Sequence, residues 1–546
     1  MGTNGLFEVP AAGSAGHPGR ATLRARRSAR LFVVAGLVGL ASCGGSGGGG
    51  GMPAPAPAPI TYTPGLYLPS SSLAAQCASP RSGIDPFTGV RYPDVQGSTR
   101  AENNWLRSWT NELYLWYREV PDLDPGATPT TAAYFALLKT SATTPSGRPK
   151  DQFHFTYPTA SWEALSQSGV QAGYGAAWEI FAATAPRDVE VAYAEPGSPA
   201  ATANITRGAR VLSVDNVDLV NASDQASVDI LNNGLFPTAT GQSHTFSILD
   251  PGATTPRTVT MVSANVTETP VTNVTVLPST TVGYMLFKDH IATAEQGLIN
   301  AVNQLKSQNI TDLVLDIRYN GGGYLDIASE LAYMIAGQTA TAGKTFELTK
   351  FNDKYPTNDP FTGQPITPLP FHSTTQDFSV PAGMALPALN LPRVFVLTGG
   401  DTCSASESII NSLRGIGVTV YQFGSTTCGK PYGFVPADNC GTTYFSIQFQ
   451  GVNQIGFGDY ADGFSPANTQ VTPGVSVPGC SVADDLSHDF GDPNEAVLGA
   501  ALAYRTAPGT CPAPTGNLVQ AQAARGAKQA ASVPKSPWHQ NRIYRP

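Results

Sequence analysis

The sequence predicts a multidomain α+β and α/β chain: a helical amino-terminal segment, a β-rich module of short strands, and a larger layered core in which strands alternate with helices. Three observations carry this. From Ala101 onward Trp105, Trp109, Leu113 and Trp116 recur every three to four residues, the spacing of one helix face. Residues 170–265 read as short apolar runs separated by turn residues. From Val271 to about Arg505, strand-length apolar runs alternate with helical stretches, the pattern of a sheet covered by helices.

Taken in order, residues 1–42 hold Arg20, Arg24, Arg26, Arg27 and Arg30, an apolar run from Leu31 to Ala41, and small residues before Cys43. Basic, apolar and small-residue zones in that order read as an export signal, and the run is well short of the roughly 20 residues of a membrane-spanning helix. Leu40-Ala41-Ser42-Cys43 resembles the lipobox of bacterial lipoproteins. The resemblance implies lipidation at Cys43 and anchoring to the cell membrane or outer membrane, facing the periplasm or exterior. Residues 43–65, rich in Gly and then Pro, form a tether. The helical region covers 66–169, the β-rich module 170–265 and the core 271–510. Residues 511–546 lack apolar periodicity and are expected to be a disordered tail.

Net charge is −8, and with residues 1–42 removed, taking five arginines and Glu8, it becomes −12. Only 13% of residues are charged, so the chain has no basic face for a phosphate backbone, which excludes nucleic acid as a partner. Beyond Cys43 there are six cysteines, Cys77, Cys403, Cys428, Cys440, Cys480 and Cys511, an even number in an exported chain. Their pairing is open, although Cys428 and Cys440 are near enough in sequence to clasp one loop. No CxxC pair and no histidine at ligand spacing accompanies them, so no metal and no cofactor is expected.

Strands are predicted at Thr281–Leu286, Leu313–Ile317, Val394–Leu397 and Val418–Phe423, with helices at Ala292–Leu305, Tyr324–Ile335 and Ser404–Leu413. The chemistry gathers where these elements meet. Ser404, in Thr402-Cys403-Ser404-Ala405-Ser406-Glu407, falls at a strand-to-helix turn, where a hydroxyl projects from the sheet edge beside free helix amides. Ser404 or Ser406 can equally be a plain helix N-cap. Lys430 lies 26 residues further on, beyond the next strand. Its Cys, Gly, Pro, Tyr and Phe neighbours permit the desolvation that turns a lysine into a base. The third element, Asp316-Ile317-Arg318-Tyr319-Asn320-Gly321-Gly322-Gly323, is a strand ending in a glycine turn suited to an oxyanion hole. Asp316 and Arg318 read as structural partners of one another.

Two resemblances follow from these residues. Ala194 to Leu219, AEPGSPAATANITRGARVLSVDNVDL, resembles the PDZ family. It implies a peptide-binding module in which Gly173, Tyr174, Gly175 and Ala176 form the carboxylate-binding loop. The ordered set of glycine turn, SASE turn and Gly-Lys resembles the carboxyl-terminal processing, or tail-specific, serine peptidase family. That resemblance implies a crotonase/Clp-like layered core, polypeptide substrates cut near their carboxyl ends, Ser404 as nucleophile, Lys430 as general base, and backbone oxyanion donors at Gly322 and Ala405. Many members carry a Gln four residues after the lysine where this chain has Phe434, so the third catalytic residue is unassigned. The alternative is a catalytically degenerate peptidase fold that only binds polypeptide tails.

Overall fold

The computed structural model describes residues 61–470, 474–515 and 541–546. The readings at residues 1–60, Cys43 included, lie outside the described residues. Among the described residues no helix is long and apolar enough to cross a membrane.

Helix α1 (Thr99–Leu113) opens where the Ser98 hydroxyl accepts the Ala101 N–H, with Glu102 in its first turn, so both the cap and the acidic residue favour the helix start. Its Trp105 and Trp109 are buried, with rings stacked 5.3 Å apart and Tyr444 of the core against them. The aromatic stripe is packing. Helix α2 (Thr159–Ser168) stops at Gly169, whose φ of 66° suits a glycine C-cap. The strand Phe155–Pro158 pairs with Thr442–Phe445, and a disulfide joins Cys77 to Cys440. The amino-terminal region is therefore fastened to the core. The other disulfides are Cys403–Cys428 and Cys480–Cys511, which corrects the suggestion that Cys428 and Cys440 clasp a loop together: Cys428 pairs with Cys403 on the neighbouring turn, and Cys440 with Cys77 of the amino-terminal region.

The β-rich module comprises β1 (Ala176–Ala182), β2 (Asp188–Ala194), β3 (Arg210–Val214), α3 (Gln225–Leu235), β4 (Ser243–Leu249) and β5 (Arg257–Val262). Its strands run antiparallel in the order β5-β4-β3-β2-β1, so β1 is an edge. Val191, Val211, Val214, Leu231, Phe246 and Ile248 form a core of its own.

The larger sheet contains β6 (Val271–Val276), β7 (Val282–Phe287), β8 (Asp312–Asp316), β11 (Arg393–Thr398), β12 (Thr419–Gly424) and β15 (Gly479–Ser481), in that order. Only β6 is antiparallel to its neighbour. The central strands read as unbroken apolar runs because both faces are covered. Met285, Leu313, Leu315 and Val396 face α4 (Ala294–Ser307), α5 (Leu325–Thr341) and α6 (Ala405–Gly415). Tyr284, Leu286, Val314 and Phe395 face α7 (Ala496–Thr506) on the other side. Adjacent residues thus serve opposite layers, as strand geometry requires.

Between these elements lie β9 (Gly322–Tyr324), and a second sheet in which β10 (Thr345–Lys350) and β13 (Tyr432–Gly433) each pair antiparallel with β14 (Phe449–Val452). One expectation fails outright. Residues 541–546 are not an unstructured tail: β16 (Asn541–Ile543) pairs parallel with β9. Buried Arg542 and Ile543 supply the contacts that a search for apolar periodicity across 511–546 passes over.

Candidate active site

Strands β11 and β12 are parallel neighbours in register from Arg393↔Thr419 to Thr398↔Gly424. Their carboxyl ends therefore emerge side by side, and the turns after them carry Ser404 and Lys430. A parallel pair delivering two loops to one edge is the reason 26 residues of separation become proximity.

Ser404 is fully buried and adopts φ 63° and ψ −113° at the start of α6. A side chain held in this sparsely populated region costs of order 1–3 kcal/mol, and surrounding structure must impose it. Three contacts do so. Cys403 N–H and the Ser406 hydroxyl both donate to the carbonyl of Asn320, at 3.1 and 3.0 Å, docking the Ser404 turn onto the glycine turn. The Thr402 hydroxyl donates to the carbonyl of Ile317 at 2.7 Å. The Ser404 hydroxyl itself is buried with no hydrogen-bond partner among the described residues. Ser406 is thus a tether, and the Ser404 hydroxyl is left for other work.

Glu407 couples the two turns. One of its carboxylate oxygens accepts the Ser404 N–H at 2.9 Å and the Lys430 N–H at 2.8 Å. The other accepts the Thr427 hydroxyl at 2.5 Å and the Gly429 N–H at 2.8 Å. Burial raises its affinity for a proton, and these four donors oppose that. The Cys403–Cys428 disulfide adds a covalent link between the same two turns. Because the two sulfurs are bonded to each other, the cluster of Cys403, Glu407 and Cys428 is no thiolate metal centre. Gly429, with φ 82°, presses so closely on Ala461 that an added Cβ would lie 2.3 Å from its carbonyl oxygen.

The Lys430 side chain is fully buried, its nitrogen 4.2 Å from the ring centroid of Phe434 and 4.8 Å from that of Phe153. Burial pushes its pKa well below the ordinary lysine value; the Asp151 charge opposes this, Arg542 adds to it and Glu407 opposes it. Phe434 is therefore an aromatic wall beside the lysine nitrogen. Asp151 is buried and held by the Tyr114 hydroxyl at 2.7 Å and the Phe153 N–H at 3.0 Å. It is the carboxylate acting most strongly on Lys430, and it comes from the amino-terminal region.

The predicted oxyanion residues are both present at the site. Ala405 opens α6, where a helix's first amides lack intrahelical acceptors. Gly322 N–H donates to Asn320 Oδ1 at 3.0 Å, so that amide is already engaged. His290 also meets Asn320 Oδ1, at 2.9 Å, and burial lowers its pKa to about 3, keeping the ring neutral. Asp316 and Arg318 form a buried ion pair at 2.7 Å that extends to Glu495, a structural pairing.

Gly173, Tyr174, Gly175 and Ala176 lie elsewhere, lining a cleft of about 660 Å³ along the β1 edge that reaches Phe236, Tyr319 and Asp401. The Tyr174 side chain turns into the module's core against Phe246, so this segment offers backbone to the cleft.

The sequence profile described as Peptidase family S41 matches residues 281–435, which run from β7 through Ser404 and Lys430 to just past Phe434. The chain carries a peptidase family S41 domain. The carboxyl-terminal-processing protease of Picosynechococcus sp. (strain ATCC 27264 / PCC 7002 / PR-6) is 26% identical over 196 residues, 36% of this chain and 46% of the relative. The match thus spans about half the length of that curated relative. A solved structure of a candidate S41 protease from Bacteroides fragilis NCTC 9343 superposes with a TM-score of 0.54 at 22% identity, covering 76% of this chain and 98% of that one, which is a likeness of fold.

Sequence reasoning left Glu407 without a role, although an acid three residues after an N-cap serine is a recognisable pattern. Asp151 carries no local signal, because its effect on Lys430 depends on the docking of a distant segment.

Proposed function

We propose that this chain is a serine endopeptidase that hydrolyses polypeptides through an acyl-enzyme formed on Ser404. One observation carries the reading: a buried, unpartnered serine hydroxyl at a strained turn, tied through Glu407 to the turn that carries a buried lysine. Lys430, whose hold on a proton desolvation weakens, takes the Ser404 proton in its neutral form as Oγ attacks the peptide carbonyl. The tetrahedral oxyanion is met by the Ala405 amide at the helix start, and by Gly322 once its bond to Asn320 is exchanged. Lys430 then protonates the leaving amine, and water attacks the ester to release the second product. No cofactor enters these steps.

The finer parts of the reading belong to the same proposal. Residues 170–265 act as a PDZ-like module, and the larger sheet with its helices is a crotonase/Clp-like layered core. The β1 edge and the cleft beside it suit a peptide that adds as a strand, its terminal carboxylate held by the Gly173–Ala176 backbone. Export and lipidation at Cys43 would place the enzyme on a membrane surface.

The test is labelling by a fluorophosphonate probe and cleavage of unstructured peptides with free or amidated carboxyl ends. The parent labels and cleaves, with free ends preferred, and Ser404→Ala and Lys430→Ala do neither. Tail binding without labelling or cleavage in any form would replace the peptidase by a binding protein.

A further inference from the structure

Ser404 and Lys430 are fully buried, and this chain's own residues 541–546 run beside the turns that carry them. Strand β16 is held between the two segments that frame the site. On one side it pairs with Gly322–Tyr324 of the glycine turn. On the other, Phe434 N–H donates to the carbonyl of Arg542 at 3.0 Å, and Tyr544 N–H donates to the carbonyl of Phe434 at 3.2 Å. Backbone pairing on both edges is how an extended peptide is held in a cleft, and it is indifferent to side-chain identity.

Side chains then decide what fits. Arg542 is buried in a pocket walled by β10, β13 and β14. Its guanidinium forms an ion pair with Glu347, with Nε 3.3 Å from Oε1. It also donates to the Tyr460 hydroxyl at 2.8 Å and to the carbonyl of Lys430 at 3.1 Å. Gly451 completes the pocket, since a Cβ there would lie 2.1 Å from Glu347 Oε1 and 2.4 Å from Arg542 Nη2. A buried carboxylate, a hydroxyl and a carbonyl converging on a space kept open by glycine form a built site for a planar, fivefold donor. With no guanidinium present, Glu347 would be left as an unpaired buried carboxylate, already pushed upward in pKa by burial. Three residues on, Arg545 Nε meets Asp326 Oδ2 at 3.0 Å and its guanidinium lies 3.8 Å over the Phe378 ring. The cleft therefore presents a deep acidic anchor and a second, shallower one.

We propose that the cleft between β9 and β13 recognises extended polypeptide segments bearing arginine, with Glu347 reading the arginine side chain, and that residues 541–546 occupy it as a tethered ligand that shields Ser404 from other substrates. The proposal rests on the peptidase reading for the meaning of "substrate", but its binding claim does not. Segments carrying a second basic residue three positions after the arginine engage both anchors.

The test uses a labelled hexapeptide, Asn-Arg-Ile-Tyr-Arg-Pro, and the same peptide with alanine for its first arginine. Binding is read by fluorescence anisotropy on the full chain carrying Ser404→Ala with Arg542→Ala, so that the probe is not consumed and the internal ligand is weakened. Arg542→Gln, which retains most of the side-chain volume, is the second variant should Arg542→Ala not fold. The arginine peptide binds, and its alanine form binds at least about 30-fold more weakly, as expected for removing one partner of a buried charge pair. Adding Glu347→Gln or Gly451→Ala removes the difference between the peptides, and restoring Arg542 weakens both. Equal binding of the two peptides, binding of neither, or no effect of Arg542 would overturn the proposal. Arginine-dependent binding without Ser404-dependent cleavage in the Arg542→Ala enzyme would sink the peptidase reading and keep the subsite; cleavage blind to arginine would do the reverse.

Discussion

Replacing Glu407 with glutamine keeps the side chain's shape and removes its ability to accept on both ends. The carboxylate receives four donors, two on each oxygen, from Ser404, Lys430, Thr427 and Gly429. An amide placed there can accept on one end only, so two donors face an NH₂ group instead of an acceptor. Hydrogen bonds to a charged group contribute about 1.5–3 kcal/mol each, so losing two costs about 3–6 kcal/mol. One orientation of the amide leaves the main-chain N–H groups of both Ser404 and Lys430 without their acceptor, and the other leaves the Gly429 N–H and the Thr427 hydroxyl without theirs, so the loss falls on the geometry of the Ser404 and Lys430 turns. Urea denaturation followed by tryptophan fluorescence gives the stability change, and fluorophosphonate labelling gives the state of Ser404. Labelling is expected to fall by tenfold or more alongside a clear loss of stability. A Glu407→Gln protein within about 1 kcal/mol of the parent, less than one such bond, and labelling at the parental rate would refute the coupling.

The pH dependence follows from Lys430. On the proposed mechanism only its neutral form accepts the serine proton, so kcat/KM is expected to rise with pH through a midpoint well below the ordinary lysine value. Because the folded pKa is depressed, the folded state binds fewer protons than the unfolded chain between the two values, and stability rises with pH across that window. Asp151→Asn removes the charge that holds the pKa up and should move the acidic limb of the rate profile to lower pH; a shift upward would contradict the assignment. The Cys403–Cys428 link closes a separation of 25 residues, so removing both cysteines to serine should cost about 3.5 kcal/mol by loop entropy and slow labelling. Unchanged denaturation and labelling would show the link to be dispensable. Gly429→Ala should abolish labelling, because the new Cβ meets the Ala461 carbonyl at a positive φ; full labelling would show that the lysine turn can yield.

Much of the core was readable because periodicity and turn chemistry are local. The strand expected at Val394–Leu397 is Arg393–Thr398, and the helix expected at Ser404–Leu413 is Ala405–Gly415. Buried central strands have to be apolar throughout, and a serine between strand and helix can be seen without knowing the partner strand. Phe434 was visible as a departure, but its consequence was not: whether an aromatic in place of an amide leaves the lysine bare depends on what else reaches it. The charge of Asp151 acts on it from a loop of the amino-terminal region, 279 positions before Lys430 in the chain. Cysteine pairing was equally illegible, since Cys77 and Cys440 are separated by 363 residues and meet only when two regions dock.

By itself the sequence determined the alternation that builds a two-sided sheet and the strand-to-helix turns on which Ser404 and the glycine run sit, because each depends on residue type and near neighbours. Tertiary structure alone decided that Glu407 binds both the Ser404 and Lys430 turns, that the Asp151 charge acts on Lys430, and that Arg542 pairs with buried Glu347. Those outcomes depend on which backbones lie side by side. That is a property of parallel strand pairing and of the docking of distant segments, and no window of sequence contains it.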